Sequence, residues 1–145
     1  MLRLYPNWKC KEKVFSYFFK GMPYNEFKRL GNDFGKKFCN IIIRPSMKER
    51  LQWHLRQGHK VYVISASIEE WVRPFFQTLS DVCVLATKVK PDLSGFASNN
   101  CYGQEKVNRL LEMEPERKTY TLYAYGDSRG DKEMLEFADF PTFVH

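Results

Sequence analysis

The sequence predicts an α/β fold with a mainly parallel sheet, and three observations support this prediction. From residue 41 onward, short β-branched runs alternate with segments whose apolar residues recur at helical spacing. The run at residues 60–65, Lys-Val-Tyr-Val-Ile-Ser, is rich in β-branched residues, short and uninterrupted, as expected of a strand buried on both faces. The chain has 145 residues and is 43% hydrophobic, which is sufficient for one buried core.

The first 40 residues differ from the rest because they are rich in aromatic and basic residues. We predict two helices here, separated near Gly21-Met22-Pro23. The apolar positions at helical spacing are Val14, Phe15, Phe18, Phe19, Phe27, Leu30 and Phe34. We expect Phe15, Phe18, Phe19 and Phe27 to form a buried face of this helical segment.

The later elements are predicted from capping residues, turns and periodicity. A helix is expected from Ser46, as N-cap with Glu49 reaching back to it, to just before Gly58. A helix at residues 68–79 must be kinked or begin later because of Pro74. The other predicted elements are strands at 82–86, 120–125 and 142–144 and helices at 104–112 and 131–138.

Composition limits the classes of function. The sequence contains no apolar run of about 18 residues and no secretory signal pattern, so we expect no membrane span and a cytoplasmic location. Cys10, Cys39, Cys83 and Cys101 form neither a C-x-x-C pair nor a zinc-ligand spacing. The net charge of +6 suits a small phosphorylated substrate, and the scattered basic residues are only a weak indication of nucleic-acid binding.

Two polar segments are placed where open α/β sheets bind ligands, at strand ends and at the helix starts beyond them. Ser65-Ala66-Ser67 follows the first predicted strand, where a hydroxyl and free backbone N–H groups could bind a phosphate oxygen. Helix capping is the simpler explanation of this segment taken alone. Lys106 could neutralise a phosphoryl group, although an exposed helix lysine is the simpler explanation of this residue by itself.

The third segment, at residues 125–131, is the most informative. Asp127 and Asp131 flank a strand-to-helix turn and offer the hard oxygen ligands that Mg²⁺ requires. Gly126 and Gly130 would allow a tight turn and a close approach of the backbone to the ion. A surface loop would also favour Gly, Asp and Ser, but this segment follows an apolar strand and begins an apolar-faced helix. We therefore predict a Mg²⁺ site here.

In this order, the three segments resemble the motifs of the haloacid dehalogenase (HAD) superfamily, and most closely its phosphoserine-phosphatase-like branch, subfamily IB. The matching motifs are Ser-Ala-Ser followed by Trp71 and Pro74, Asn-Cys-x-Gly-x-Glu-Lys at residues 100–106, and Tyr-Gly-Asp-Ser-x-Gly-Asp at residues 125–131. The resemblance implies a Rossmann-like three-layer sandwich at residues 41–145. It also implies that residues 1–40 are the remnant of a helical cap.

The resemblance further implies a Mg²⁺-dependent phosphatase or phosphotransferase that acts on a small phosphomonoester through an aspartyl-phosphate. Ser65 would bind a phosphoryl oxygen, with Ala66 and Ser67 in the same loop. Lys106 would hold the phosphoryl group, and Asp127 would bind Mg²⁺. Asp131 would steady Lys106 or a metal-bound water.

One part of the superfamily pattern is missing from this chain. In the superfamily, the nucleophile and the general acid are two aspartates in an Asp-x-Asp-x-Thr segment on the first strand. The sequence of this chain contains no such segment. We therefore interpret the chain as lacking that strand and expect it to be inactive alone. A non-catalytic remnant or phospho-ligand-binding domain is the alternative. A nucleic-acid-binding module is the least favoured function. Base stacking requires exposed aromatic side chains, whereas we expect the aromatic residues of the first 40 residues to form a buried face.

Overall fold

Residues 7–42 form two helices, as predicted for the first part of the chain. In the computed structural model, which describes residues 6–145, they are α1 (Asn7–Phe19) and α2 (Tyr24–Ile42). Residues 1–5 of the predicted cap remnant lie outside the described residues. The chain reverses between the helices at Gly21, whose φ of 86° is in the left-handed region that favours glycine.

An aromatic core holds these two helices against the chain that follows the first strand. Phe27 is 0% exposed, and its ring meets that of Phe15 edge to face at a centroid distance of 5.6 Å. Phe19 and Trp71 pack against the same cluster. The prediction for Phe18 is wrong, because its side chain is 67% exposed. Phe15 and Phe19 are four residues apart and share the inner face of α1, which turns Phe18 away from it.

Helix α3 (Pro45–Arg56) has a different start from the one predicted. Its N-cap is Arg44, no side chain caps the helix, and Ser46 lies within the first turn. Proline is favoured at the first helical position, because its missing N–H would have no partner there and its φ is already helical. The helix ends before Gly58, as predicted.

Strand β1 (Val61–Ile68) pairs in parallel with β2 (Val82–Thr87). The ladder extends beyond the predicted end of the strand, with an irregularity between Ser65 and Ile68. The helix predicted at residues 68–79 is mostly absent: a four-residue helix, α4 (Glu69–Val72), continues into a 3₁₀ turn at Arg73–Phe76. Pro74 accounts for this difference because it has no N–H for a helical hydrogen bond.

The second half of the described chain forms a second parallel ladder. Helix α5 (Gln104–Met113) leads through a 3₁₀ turn to β3 (Tyr123–Gly126). Strand β3 pairs with β4 (Phe140–Phe143) across the intervening helix α6 (Lys132–Phe137). These elements were all predicted, with strand boundaries that differ by a few residues. The parallel α/β character of the prediction is therefore confirmed.

The two ladders are not hydrogen-bonded to each other within residues 6–145. A cavity of about 920 Å³ is lined by both β1 and β3 and by side chains of α3, α5 and α6, and we call it the interstrand groove. Residues 61–66 of β1 are only partly buried, so the prediction that this strand is buried on both faces is wrong. The groove exposes the edge of β1 that β2 does not cover.

Two further observations concern membrane spans and cysteines. None of the described helices is long and apolar enough to cross a membrane. The four cysteines are unpaired, and Cys101 is the buried one.

A histidine pair connects α3 to β3 along the groove. Nδ1 of His54 lies 2.8 Å from Nδ1 of His59, and its Nε2 lies 2.9 Å from the hydroxyl of Tyr125. His54 is only 8% exposed. Burial lowers the pKa of His54 below 6.5, and the nearby His59 and Arg50 lower it further. The neutral form of His54 is therefore the one that the fold favours.

We expect Gly31→Ala to destabilise the protein, because a Cβ at this position in α2 would collide with the backbone carbonyl oxygen of Glu70. The free energy of unfolding should fall by about 1–3 kcal/mol, as for other overpacked contacts. Chemical denaturation measures this change. Asn32→Ala, on the exposed side of the same helix turn, is the control and should change stability by less than about 0.5 kcal/mol. Equal stability of the two variants would contradict the close packing of α2.

We expect stability to fall as the pH drops below about 6.5, because the unfolded chain binds a proton at His54 more readily than the folded chain does. Above the unfolded pKa this contribution is fully present, and it decreases toward the lower folded pKa. Urea denaturation between about pH 7 and pH 5 tests the prediction. His54→Gln should flatten the pH dependence, whereas His145→Gln at the chain end should not. An identical slope in wild type and His54→Gln would refute it.

Candidate active site

Lys106 is a buried residue in the first turn of α5. Only 7% of Lys106 is exposed. Its Nζ donates a hydrogen bond to the carbonyl oxygen of Ile64 at 3.0 Å and forms an ion pair with Oδ1 of Asp131 at 2.5 Å. Because Ile64 directly precedes Ser65, the ammonium lies at the end of β1 beside the predicted phosphate-binding loop. Lys106 is therefore not an ordinary exposed helix lysine.

Both carboxylate oxygens of Asp131 accept hydrogen bonds. Oδ1 accepts from Lys106, and Oδ2 accepts from the N–H of Asp127 at 3.2 Å and from the N–H and hydroxyl of Ser128 at 3.0 and 2.7 Å. Burial by itself would raise the pKa of Asp131, but the hydrogen bonds from Lys106 and Ser128 outweigh it and lower the pKa below 3.8. Asp131 is thus an ionised carboxylate that holds Lys106.

Gly126 permits the close packing of this turn. A Cβ at Gly126 would lie 2.8 Å from Cγ of Asp131, so a larger residue would displace the carboxylate. The sequence suggested that this glycine allows the backbone to approach an ion. In the structure, its close neighbour is the side chain that holds Lys106.

Asp127 has a different environment from Asp131. Its side chain is 52% exposed, and its Oδ2 lies 2.9 Å from a guanidinium nitrogen of Arg44. Arg44 is the N-cap residue of α3 and was not identified from the sequence. The only local signal for it is the Arg-Pro pair at the start of a helix, which many helices without a functional site share.

The Ser65-Ala66-Ser67 segment is still extended, and the following helix begins only at Glu69. The hydroxyl oxygen of Ser65 accepts a hydrogen bond from the N–H of Ser67 at 3.1 Å. The segment is therefore the irregular carboxyl-terminal part of β1, rather than the N-terminal turn of a helix. Ser65 and Lys106 lie together at this strand end because Lys106 is bonded to Ile64.

Lys11 of α1 is a second residue near this segment that was not identified from the sequence. Its Nζ donates to the carbonyl oxygen of Ala66 and, at 3.1 Å, to Oδ1 of Asn100. The hydroxyl of Thr87 donates to the same Ala66 oxygen at 3.0 Å. Burial lowers the pKa of Lys11, and the nearby Cys101 opposes that change. In a lysine-rich helix, only the inward Phe15 one turn later indicates that Lys11 points toward the core.

One side chain of this site is suited to bind a divalent cation. Asp127 offers an accessible carboxylate, the ligand type that Mg²⁺ prefers, and it already holds a cationic group. Asp131 is occupied by its four hydrogen bonds. No cluster of three or more His, Cys, Asp or Glu side chains suitable for a metal occurs in the described part of the chain. Asp127 is thus the one protein ligand that this turn offers directly.

Sequence comparisons identify the family to which this chain belongs. The family model of haloacid dehalogenase-like hydrolases matches residues 4–136. The protein CicA of Caulobacter vibrioides is 30% identical over 136 residues, which cover 90% of this chain and 61% of CicA. A protein of Mycobacterium tuberculosis named a probable phosphatase is 33% identical over 98 residues, which cover 63% of this chain and 34% of that protein. This chain spans about three fifths of CicA and belongs to the haloacid dehalogenase-like hydrolase family.

Proposed function

We propose that this chain provides the phosphate- and Mg²⁺-binding part of a phosphatase of the phosphoserine-phosphatase-like branch, with a small phosphomonoester as substrate. The observation that carries the proposal is the buried Lys106–Asp131 pair at the end of β1, beside Ser65 and the accessible carboxylate of Asp127. The name of the Mycobacterium tuberculosis relative, a probable phosphatase, supports the same reaction class.

Lys106 is suited to hold a phosphoryl group. An ammonium has three N–H donors, and among the described residues Ile64 and Asp131 accept two of them. The third is available to a phosphoryl oxygen. Because Asp131 holds the ammonium in position before substrate arrives, little reorganisation is needed when negative charge develops during transfer.

Asp127 is the proposed ligand of Mg²⁺, which would offset the repulsion between an anionic nucleophile and an anionic substrate. Ser65 would donate a hydrogen bond from its hydroxyl group to a phosphoryl oxygen, with Ala66 and Ser67 in the same segment. Asp131 acts on Lys106 rather than on the metal, because both of its oxygens are engaged.

The nucleophile in this proposal belongs to an additional extended segment with an Asp-x-Asp pattern. The interstrand groove supports this part of the proposal, because β1 and β3 both line it and are not hydrogen-bonded to each other. A strand inserted there would join the two ladders into one sheet of a Rossmann-like three-layer sandwich. The carboxylate of its first Asp would attack phosphorus while the bond from phosphorus to the leaving oxygen breaks, and the protonated carboxyl of its second Asp would give its proton to that oxygen. Water would then hydrolyse the acyl phosphate to inorganic phosphate and the free carboxylate.

The second candidate is a domain that binds phosphorylated ligands without turnover. The observation that favours it is the missing Asp-x-Asp segment in the sequence. In that case, inorganic phosphate should bind to a protein that lacks hydrolytic activity under all conditions, including after an upstream segment is added.

We expect the 145-residue chain alone to be inactive, because it contains no Asp-x-Asp nucleophile. The measurement is Mg²⁺-dependent hydrolysis of p-nitrophenyl phosphate by the purified chain, with Asp127→Ala as the control for contaminating phosphatase. Equal background rates are expected for the two proteins. Activity of the wild-type chain that Asp127→Ala abolishes would contradict this prediction.

A form that includes an upstream Asp-x-Asp segment should be active, and Lys106→Ala should lower its kcat/KM by about 10²–10³-fold, as expected when a transition-state charge stabiliser is removed. Lys132→Ala is a matched control, because that lysine is 70% exposed at the start of α6. Steady-state kinetics with a phosphomonoester measures both variants. A completed protein whose activity is insensitive to both Lys106→Ala and Asp127→Ala would refute the proposed site.

A further inference from the structure

Arg44 forms an ion pair with Asp127, the proposed metal ligand. Its guanidinium lies 2.9 Å from Oδ2 of Asp127, and the two side chains are 46% and 52% exposed. Among the described residues, Arg44 is the one group that donates a hydrogen bond to the Asp127 carboxylate. Pro45 follows directly as the first residue of α3, so Arg44 sits at a rigid helix start beside the site.

A guanidinium and a divalent cation compete for this carboxylate. A cation bound to Asp127 would lie next to the positive charge of Arg44, and the two charges repel each other. The ion pair is exposed, so it is weak enough to be broken. Cation binding at Asp127 should therefore release the guanidinium from its contact.

The released side chain would remain beside the phosphate-binding groups. The backbone N–H of Asp127 donates to the carboxylate of Asp131, and Asp131 holds Lys106, so Arg44 is connected to Lys106 through Asp127 and Asp131. Arginine is well suited to bind phosphate, because its planar guanidinium can donate two parallel hydrogen bonds to it.

We propose that Arg44 is a phosphoryl-binding residue that Asp127 holds until a divalent cation replaces it. This inference rests on the proposed function, since it takes Asp127 as the metal ligand. Its consequence is cooperativity: cation binding makes Arg44 available to phosphate, and by linkage phosphate tightens cation binding by the same factor.

The test measures Mn²⁺ binding to the whole chain by electron paramagnetic resonance of free Mn²⁺, with and without inorganic phosphate. In wild type, phosphate should tighten Mn²⁺ binding. In Arg44→Gln, Mn²⁺ alone should bind about two- to fivefold more tightly, because an exposed ion pair of this strength no longer competes. The enhancement by phosphate should be largely lost in that variant. Arg44→Lys keeps the charge without the planar fork and should keep part of the enhancement.

Arg29→Gln is the matched control, because it removes the same charge from an exposed ion pair with Asp33 in α2. It should behave as wild type. Arg44→Gln with unchanged Mn²⁺ affinity and unchanged phosphate enhancement overturns the inference and leaves the proposed function intact. Mn²⁺ binding that Asp127→Asn does not weaken, or no binding to wild type and Arg44→Gln alike, overturns the proposed metal site and the inference with it.

Discussion

The ion pair between Lys106 and Asp131 is the interaction on which the rest of the site depends. It joins α5 to the turn after β3, and the hydrogen bond from Lys106 to Ile64 connects that turn to the end of β1. A buried charge without a partner is strongly destabilising, so neither residue can be lost without a cost to the other. Gly126 leaves space for the side chain of Asp131, and the N–H and hydroxyl of Ser128 donate hydrogen bonds to its carboxylate. Both features hold Asp131 in position for the ion pair with Lys106.

Together with the hydrogen bond from Lys106 to Ile64, this ion pair connects the two parallel ladders. β1 belongs to one ladder and β3 to the other, and the interstrand groove lies between them. The groove wall includes the histidine pair that links α3 to Tyr125, so α3 contacts the second ladder at the groove and, through Arg44, at Asp127. Two separate contacts thereby connect helix α3 to β3 and to the turn that carries Asp127.

Among the described residues of the helical segment, Lys11 is the side chain that reaches the candidate site. Lys11 of α1 reaches the carbonyl oxygen of Ala66, and the aromatic core around Phe27 holds its helix in place. On the opposite side of α1, Phe18 and Tyr17 are 67% and 85% exposed. Exposed aromatic side chains are compatible with base stacking, but the site geometry and the family membership favour phosphate chemistry over nucleic-acid binding.

The sequence by itself determined most of the elements and the order in which the candidate site residues follow them, because periodicity, turns and motifs are local features of the chain. It predicted Ser65, Lys106, Asp127 and Asp131 as site residues. Only the tertiary structure decided that Asp131 holds Lys106 and that Arg44 holds Asp127. Arg44 and Asp127 are 83 residues apart, and Lys11 and Asn100 are 89 apart. Such contacts depend on helix packing and side-chain direction, which local patterns do not encode.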